Sequence, residues 1–344
     1  MFKTLAGNSQ IKATLARLVR SGNFPQSSIF TGNDGIGKKQ FAMEIARSAV
    51  CIDPDNSSPC NKCRNCMRSL NFSFPTTEKK EDYERVFLSD HPDIGSVIAN
   101  KQTIYINAIR ELELEANFRP FEASARFFII EDAEKMSPGA SNALLKTLEE
   151  PAETTHIILI TSKPTALLST IRSRCQIIRF APVSKSEIEK FLFEKLSFSS
   201  EDAKLIASAS NGSIGRASNT DPDDFRDKRK RMFEVVRTLA EKRSFAPFLR
   251  ISEEINSAKS RQDFEDYLTI LETLVNDLWR SDKIENAGLV NFDLALNLSE
   301  LKKQIPDAAI SSWIEEIDTV RKNLRFNLNR RVASDALFME MAGS

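Results

Sequence analysis

The chain has 344 residues, yet only two histidines, no net charge and no apolar run near the eighteen residues of a membrane-spanning helix. Each shortage closes a class of function. Without such a run no segment reads as a membrane span. The opening stretch "MFKTLAGNSQIK" has no signal-like apolar core, so a cytoplasmic location is expected. Lys and Arg total 48, as do Asp and Glu. That balance argues against an autonomous grip on nucleic acid, because phosphate neutralisation supplies most of such affinity and normally shows as a basic excess. The histidines, His91 in "HPDI" and His156 at a strand start, lie far apart, and no Ser or Cys arrangement pairs with either. Both therefore read as structural rather than catalytic.

What remains is an ordinary soluble composition, 41% hydrophobic and 28% charged, on a chain long enough for two or three domains. The first half alternates strand and helix signals. "SSIFTG" (27–32) reads as a buried strand entering a Gly-rich turn, and "KKQFAMEIARSAV" follows with Phe41, Ile45 and Ala49 at helical spacing. "RFFII" (126–130) and "HIILI" (156–160) have strand length and composition. Between them "SPGASNALLKTLEE" opens on Ser137 as N-cap and Pro138 in the first turn, and stops before Pro151. Alternation of this kind predicts a parallel sheet with helices on both faces. Residues 71–90, "NFSFPTTEKKEDYERVFLSD", lack steady periodicity and read as a loop or partly ordered insertion. After "IIRFAPVS" (177–184) the strand signals fade. Two short helices fit "SKSEIEKFLFEKL" and "SSEDAKLIASAS", and from about Phe225 the pattern is helical throughout. Phe264, Tyr267, Leu268, Leu271, Leu274, Val275 and Leu278 form one apolar stripe, and Trp313, Ile314, Ile317, Val320 and Leu324 another. Both read as the core of a helical bundle, so the expected fold class is α/β plus all-α.

"GNDGIGKK" (32–39) nearly completes a phosphate-binding loop. Gly32, Gly37 and Lys38 match the pattern of Gly, four residues, Gly and Lys, with Gly35 inside it. A strand, such a turn and a helix would aim backbone N–H groups and a helix dipole at an anion. The slot for Ser or Thr, whose hydroxyl ligates Mg²⁺, holds Lys39 instead. Its ammonium offers no ligand oxygen and would repel the metal. The acidic pair expected at the end of an apolar strand is present as Glu131–Asp132, in the order opposite to the usual Asp–Glu. Each carboxylate would be misplaced by roughly one bond, enough to cost about 10²-fold in rate. Acidic residues capping the next helix are the plainer alternative. ATP and Mg²⁺ in this site are thus doubtful. Thr161 and Ser162, at the end of the 156–160 strand, stand where a polar side chain senses a γ-phosphate.

Cys51, Cys60, Cys63 and Cys66 are spaced C-x₈-C-x₂-C-x₂-C. Four thiols in one short loop, with Pro54, Asn56 and Pro59 favouring its return, match a closed tetrahedral zinc site of structural type. An iron–sulfur cluster would use the same four ligands. Cys175 stands apart and reads as a buried apolar thiol. Just before it, Arg174 in "SRC" closes a short helical segment. It is either an ordinary surface arginine or an arginine finger presented to a neighbouring subunit's nucleotide.

Taken in order, "GNDGIGKK", the Cys51–Cys66 cluster, "HPDI", "FFIIEDAEKMS", "ASNALLKTLEEP" and "IRSRC" resemble the bacterial DNA polymerase III clamp-loader subunits, of the AAA+ class, over essentially the whole chain. "NALLKTLEEP" and "SRC" are the most telling. The resemblance implies a RecA-like nucleotide-binding-type domain at 1–181 carrying the zinc module (51–66), a small helical lid at 182–224, and a helical collar at 225–344. It also implies partners: gamma/tau motor subunits and a delta subunit in a five-subunit ring, which opens the sliding clamp and closes it around primed DNA. Within that family Arg174 matches the arginine that acts in trans.

The gamma/tau motor type keeps its phosphate loop and acidic pair and carries an arginine in the lid. In "NGSIGRAS" that place holds Gly215, with Arg216 one residue on, about 100° around a helix. Lys39, the Glu131–Asp132 order and Gly215 together favour the delta-prime type, the stator of the ring. An ATP-hydrolysing motor with an unusual metal arrangement stays as the alternative, and a zinc-dependent nucleic-acid-binding module as a more distant one.

Overall fold

Residues 1–2, 4–241, 246–256, 261–281, 288–323 and 329–343 are described by a computed structural model of the chain. Leu324, read from the sequence as the end of the second apolar stripe, lies outside them. The chain divides into two compact units, Met1–Ile188 with Gly212–Arg216, and Glu189–Asn211 with Ala217–Ser344.

The first unit carries, in chain order, α1 (Ser9–Arg20), β1 (Ser27–Thr31), α2 (Lys38–Val50), α3 (Arg64–Arg68), β2 (Phe87–Leu88), β3 (Ile94–Val97), α4 (Ile106–Ala116), β4 (Arg126–Ile130), α5 (Pro138–Glu149), β5 (Thr155–Thr161), α6 (Ser169–Arg174) and β6 (Gln176–Arg179). The strands form one sheet in the order β2-β3-β4-β5-β1-β6, parallel except for β2. β1 and β4 are buried along their whole length and β5 at every residue but the half-buried His156, which is why these segments read as continuous apolar runs rather than as alternating ones. The two-residue period still sorts side chains between faces. Ile29, Phe128, Ile130, Ile157 and Leu159 meet Ile109 and Leu112 of α4, Leu144 of α5 and Ile171 of α6. Phe30, Phe127, Ile129, Ile158 and Ile160 meet Leu15 of α1 and Phe41 and Ile45 of α2.

Residues 71–90 correct the sequence reading. The segment is no simple loop: it supplies β2, antiparallel to β3 through Phe87↔Ser96 and Leu88↔Gly95, and a single helical turn at Lys80–Tyr83. Phe72 and Phe74 stack with ring centroids 5.3 Å apart, and Phe74 meets Phe87 edge-on. An edge strand of two residues is too short to leave a periodic signal. The aromatic contacts that order the segment join positions too scattered to register as a pattern.

The second unit is helical throughout its described residues. It holds α8 (Ser200–Ala209), α10 (Pro222–Ala240), α11 (Ala246–Asn256), α12 (Arg261–Arg280), α13 (Ala295–Lys302), α14 (Asp307–Asn323) and α15 (Arg330–Gly343); α7 (Lys185–Leu196) and α9 (Ile214–Asn219) contribute residues to both units. The seven apolar residues read from α12 are all buried, and Trp313 and Ile317 of α14 join the same core. The Trp313 indole donates to the Met341 carbonyl at 2.7 Å, which satisfies its one polar atom inside that core. No helix among the described residues is long and apolar enough to cross a membrane.

Candidate functional site

β1 ends at Thr31, the chain turns through Gly32–Gly37, and α2 begins at Lys38. Two glycines make that turn possible. Gly32 has φ 147°, and a Cβ there would lie 2.5 Å from the Phe180 carbonyl oxygen; Gly35 has φ 71°, and a Cβ there would lie 2.3 Å from Ser213 Oγ. Parallel pairing of β1 with β5 sets Thr31 beside Thr161, and pairing of β5 with β4 brings Glu131 and Asp132 to the same end of the sheet. A cavity of about 230 Å³ lies there, and Gly35, Gly37, Lys38, Lys39, Glu131, Asp132 and Thr161 all line it. It sits outside the carboxyl ends of parallel strands, where open α/β sheets hold their ligands. Arg174 and the four clustered cysteines do not line it.

Inside this cavity the charges are already spoken for. Lys38 is buried, and its ammonium donates to the carbonyl oxygens of Gly32 (2.6 Å) and Asn33 (2.7 Å), closing the loop on itself. Burial lowers its pKa, while Asp34, Glu134 and Asp132 pull the other way. Lys39 Nζ lies 2.7 Å from Glu131 Oε1, and the Ser96 hydroxyl donates to that same oxygen at 2.9 Å. Lys39 also sits over the Phe74 ring, 5.5 Å from its centroid, so residues 71–90 reach this site. Asp132 adopts a left-handed backbone, φ 49°, and its carboxylate pairs with Lys135 at 2.8 Å. Thr161 is buried, and its Oγ1 accepts from the Lys163 N–H at 3.0 Å. The neighbouring Ser162 hydroxyl donates to Glu134 Oε1 at 3.0 Å.

The Gly212–Arg216 segment closes over the loop. The Gly215 N–H donates to the Gly35 carbonyl at 2.7 Å, and a Cβ at position 215 would meet that oxygen at 3.0 Å. The close approach is open to glycine and to little else.

Of the four clustered cysteines, Cys51, Cys60 and Cys63 lie on the loop between α2 and α3, and Cys66 lies in α3. Their Sγ atoms are all within 4.8 Å of one another, and those of Cys51 and Cys63 are 4.0 Å apart. Four sulfurs at about 2.3 Å from one tetrahedral ion stand roughly 3.8 Å apart, so the set fits such an ion with little movement. Backbone N–H groups already point at the sulfurs: Cys60 to Cys51 Sγ and Cys63 to Cys60 Sγ at 3.3 Å, Cys66 to Cys63 Sγ at 3.4 Å. For Cys63, burial opposes the thiolate, but hydrogen bonds from Cys66, Ile52 and the neighbouring thiols outweigh it and bring the thiol to about 6. Burial pushes Cys66 up to about 12.

Arg174 is the last residue of α6. Its Nη1 donates to the Thr170 carbonyl at 3.0 Å, and its Nη2 lies 2.6 Å from Glu149 Oε1 at the end of α5. His91 is fully buried, and its Nδ1 accepts from the Asp93 N–H at 3.3 Å. The Asp93 carboxylate in turn accepts the N–H groups of Phe121, Glu122 and Ala123. His156 stacks on Phe127, and Cys175 is a buried thiol pushed up to about 12 by burial. Sequence reasoning missed Ser96, Phe74, Glu134 and Glu149. Only Glu149 carried a signal, as a carboxylate placed at the wrong end of a helix.

A family model described as "DNA polymerase III, delta subunit" matches residues 7–184. The chain is 26% identical over 320 residues to DNA polymerase III subunit delta' of Bacillus subtilis (strain 168), covering 93% of this chain and 92% of that protein. DNA polymerase III subunit tau of the same organism is 30% identical over 218 residues, which is 62% of this chain and 36% of that protein. Among solved structures, a DNA polymerase III gamma-subunit-related protein of Thermotoga maritima aligns over 97% of this chain and 99% of that chain, at 18% identity and a TM-score of 0.44.

Proposed function

The chain belongs to the family described as DNA polymerase III, delta subunit, and is of the delta-prime clamp-loader type; from that premise we propose that it is the non-hydrolysing stator of a clamp loader. In this reading it joins gamma/tau motor subunits and a delta subunit in a five-subunit ring that loads the sliding clamp onto primed DNA. Residues 1–181 are the nucleotide-binding-type domain, 182–224 the lid and 225–344 the collar that joins the ring. Arg174 reaches a neighbouring motor's ATP, and zinc on Cys51, Cys60, Cys63 and Cys66 is structural.

One observation carries the non-hydrolysing assignment: Lys39 Nζ lies 2.7 Å from Glu131 Oε1. In a working site a hydroxyl at position 39 and a carboxylate at the strand end would both serve Mg²⁺, which neutralises charge between the β- and γ-phosphates. Here the first group is a cation bonded to the second. A divalent ion would have to expel the ammonium and then tolerate its charge nearby. The site keeps the shape of a phosphate loop while its metal seat is filled from within the chain.

The test is ATP hydrolysis with the chain alone and in the assembled complex with clamp and primed DNA. The chain alone is expected to be inactive. In the complex, Arg174→Ala is expected to lower turnover by about 10³-fold or more, and Lys38→Ala to leave it unchanged. Hydrolysis by the isolated chain that disappears with Lys38→Ala would assign it to the motor type instead.

A further inference from the structure

We propose that Glu149 is a positioning residue for Arg174, holding its guanidinium in the orientation it offers to the neighbouring subunit. The proposal rests on the reading of Arg174 as a residue that acts in trans. It joins the two most telling stretches of the sequence, "LLKTLEEP" and "SRC", through one contact. α5 and α6 pack against each other, and their last residues, Glu149 and Arg174, meet at 2.6 Å.

Glu149 is badly placed for any local purpose. It ends α5, where the helix dipole disfavours a carboxylate, and Glu150 follows at once. The one basic residue in that last turn, Lys146, pairs elsewhere, with Glu113 at 3.2 Å. Two adjacent carboxylates at the negative end of a helix break a local rule, and such breaks concentrate at functional positions. Stability gives no sufficient reason for the contact either. The Glu149 and Arg174 side chains are 51% and 34% exposed, and ion pairs that open to solvent contribute little to folding.

Orientation does give a reason. A guanidinium is a rigid planar fork on a flexible stem, and its use against a phosphate depends on how the fork is aimed. Thr170 holds one edge of the Arg174 fork through Nη1, and Glu149 holds another through Nη2. With both anchors the plane is fixed before a neighbour arrives, so little reorganisation is left for the transition state. With Thr170 alone the group can pivot about a single hydrogen bond.

The experiment uses the complete clamp loader with clamp and primed DNA, and compares Glu149→Gln, Glu149→Asp, Arg174→Ala and the Glu149→Gln/Arg174→Ala pair. Glu149→Gln is expected to lower kcat for ATP about tenfold, the scale of a modest misplacement, with KM changed less than about twofold. Glu149→Asp should recover part of the loss, and Glu149→Gln should have no further effect once Arg174 is alanine. The melting temperature of the Glu149→Gln chain should stay level or rise, since an unfavourable helix-end charge is removed. Unchanged or raised kcat in Glu149→Gln, beside a large loss in Arg174→Ala, would overturn the positioning role and leave the trans arginine standing. Additive losses in the double variant would also overturn it. No loss in Arg174→Ala would remove both together.

Discussion

Lys39 and Glu131 form an ion pair, 2.7 Å between Nζ and Oε1, across the seat that a divalent cation takes in a working phosphate loop. Ser96 donates to the same carboxylate oxygen, and the Phe74 ring lies beneath the ammonium. The pair is held from four elements: α2, the end of β4, β3 through Ser96, and the segment before β2. Lys38, one residue earlier, spends its ammonium on the loop's own carbonyls. The lysine of the phosphate-loop pattern and the lysine in its metal-ligand slot are both committed within the chain.

Lys39→Ser should therefore restore metal dependence. The variant frees Glu131 and places a hydroxyl where the cation needs one. Nucleotide binding by the isolated chain is expected to become Mg²⁺-dependent, with affinity rising about tenfold or more on adding the ion. The unaltered chain should show no such response. Calorimetric titration with and without Mg²⁺ reads both, and an identical Mg²⁺ response in the two proteins would contradict the view that Lys39 fills the seat.

Gly215→Arg should not rescue the site, although it supplies the arginine of the motor type. A Cβ at 215 would lie 3.0 Å from the Gly35 carbonyl oxygen and 3.1 Å from Gly35 Cα, both backbone atoms. The Gly215 N–H bond to Gly35 would have to break as the segment backs away. A loss of about 1–3 kcal/mol is expected, as for other overpacked contacts, together with faster proteolysis around 32–37. Unchanged melting with new nucleotide binding would show that the Gly212–Arg216 segment is free to move.

The sequence disclosed whatever is local. The phosphate loop, the cysteine spacing and the α5 cap on Ser137, whose hydroxyl accepts from Ala140, all lie within a few residues of chain. β1, β4 and β5 were legible because each is an unbroken apolar run. β3 was not: "IGSV" includes Gly95 and Ser96, and its burial on both faces leaves no alternation to read. Gly95 is small for a reason visible only in the fold, since a Cβ there would sit 2.9 Å from Phe128 and Val86. α1 and α4 also escaped, although α4 has Ile109 and Leu112 at helical spacing; its N-cap, Tyr105, makes no capping bond. The same limit explains the site. Residue types at 39, 131, 149 and 174 were plain, but their partners depend on how helices end against the sheet.

The buried histidines predict how stability falls in acid. His91 and His156 both have pKa values lowered by burial; for His91, Asp93 and Glu122 oppose the shift and Arg68 adds to it. Each is neutral in the fold and gains a proton more easily when unfolded. The unfolded state thus binds more protons below the ordinary histidine value of about 6.5, and stability must drop as pH falls through that window. Urea midpoints from pH 7.5 to 5 should decline, and His156→Gln should flatten part of the slope while leaving the midpoint at pH 7.5 close to its original value. A slope insensitive to that change would move the acid sensitivity to other groups.

The cysteine cluster makes the last prediction, and it separates the two metals the spacing allows. The loop between α2 and α3 returns on itself through a short Asp55–Ser58 bridge and three N–H···S contacts, with only Cys66 of the four fully enclosed. Arg47 also donates to Asn61 Oδ1 at 2.6 Å and Asn65 to the Val50 carbonyl at 3.0 Å, and an ion that binds all four thiols adds a cross-link to these ties and contributes to the local stability. Protein purified under reducing conditions should carry about one zinc per chain, with no iron and no visible absorption of the kind a cluster gives. Cobalt substitution should produce the intense visible bands of tetrahedral thiolate coordination. Chelation or Cys63→Ser should cost about 3 kcal/mol or more at this module, with protease sensitivity rising first between residues 51 and 66. The six-stranded sheet has its own core on both faces and should persist, so near-native far-ultraviolet dichroism should survive metal loss. Iron and labile sulfide in the purified chain would replace zinc with a cluster. Full thiol reactivity without any metal would make the cysteines' convergence a feature of the apo fold alone.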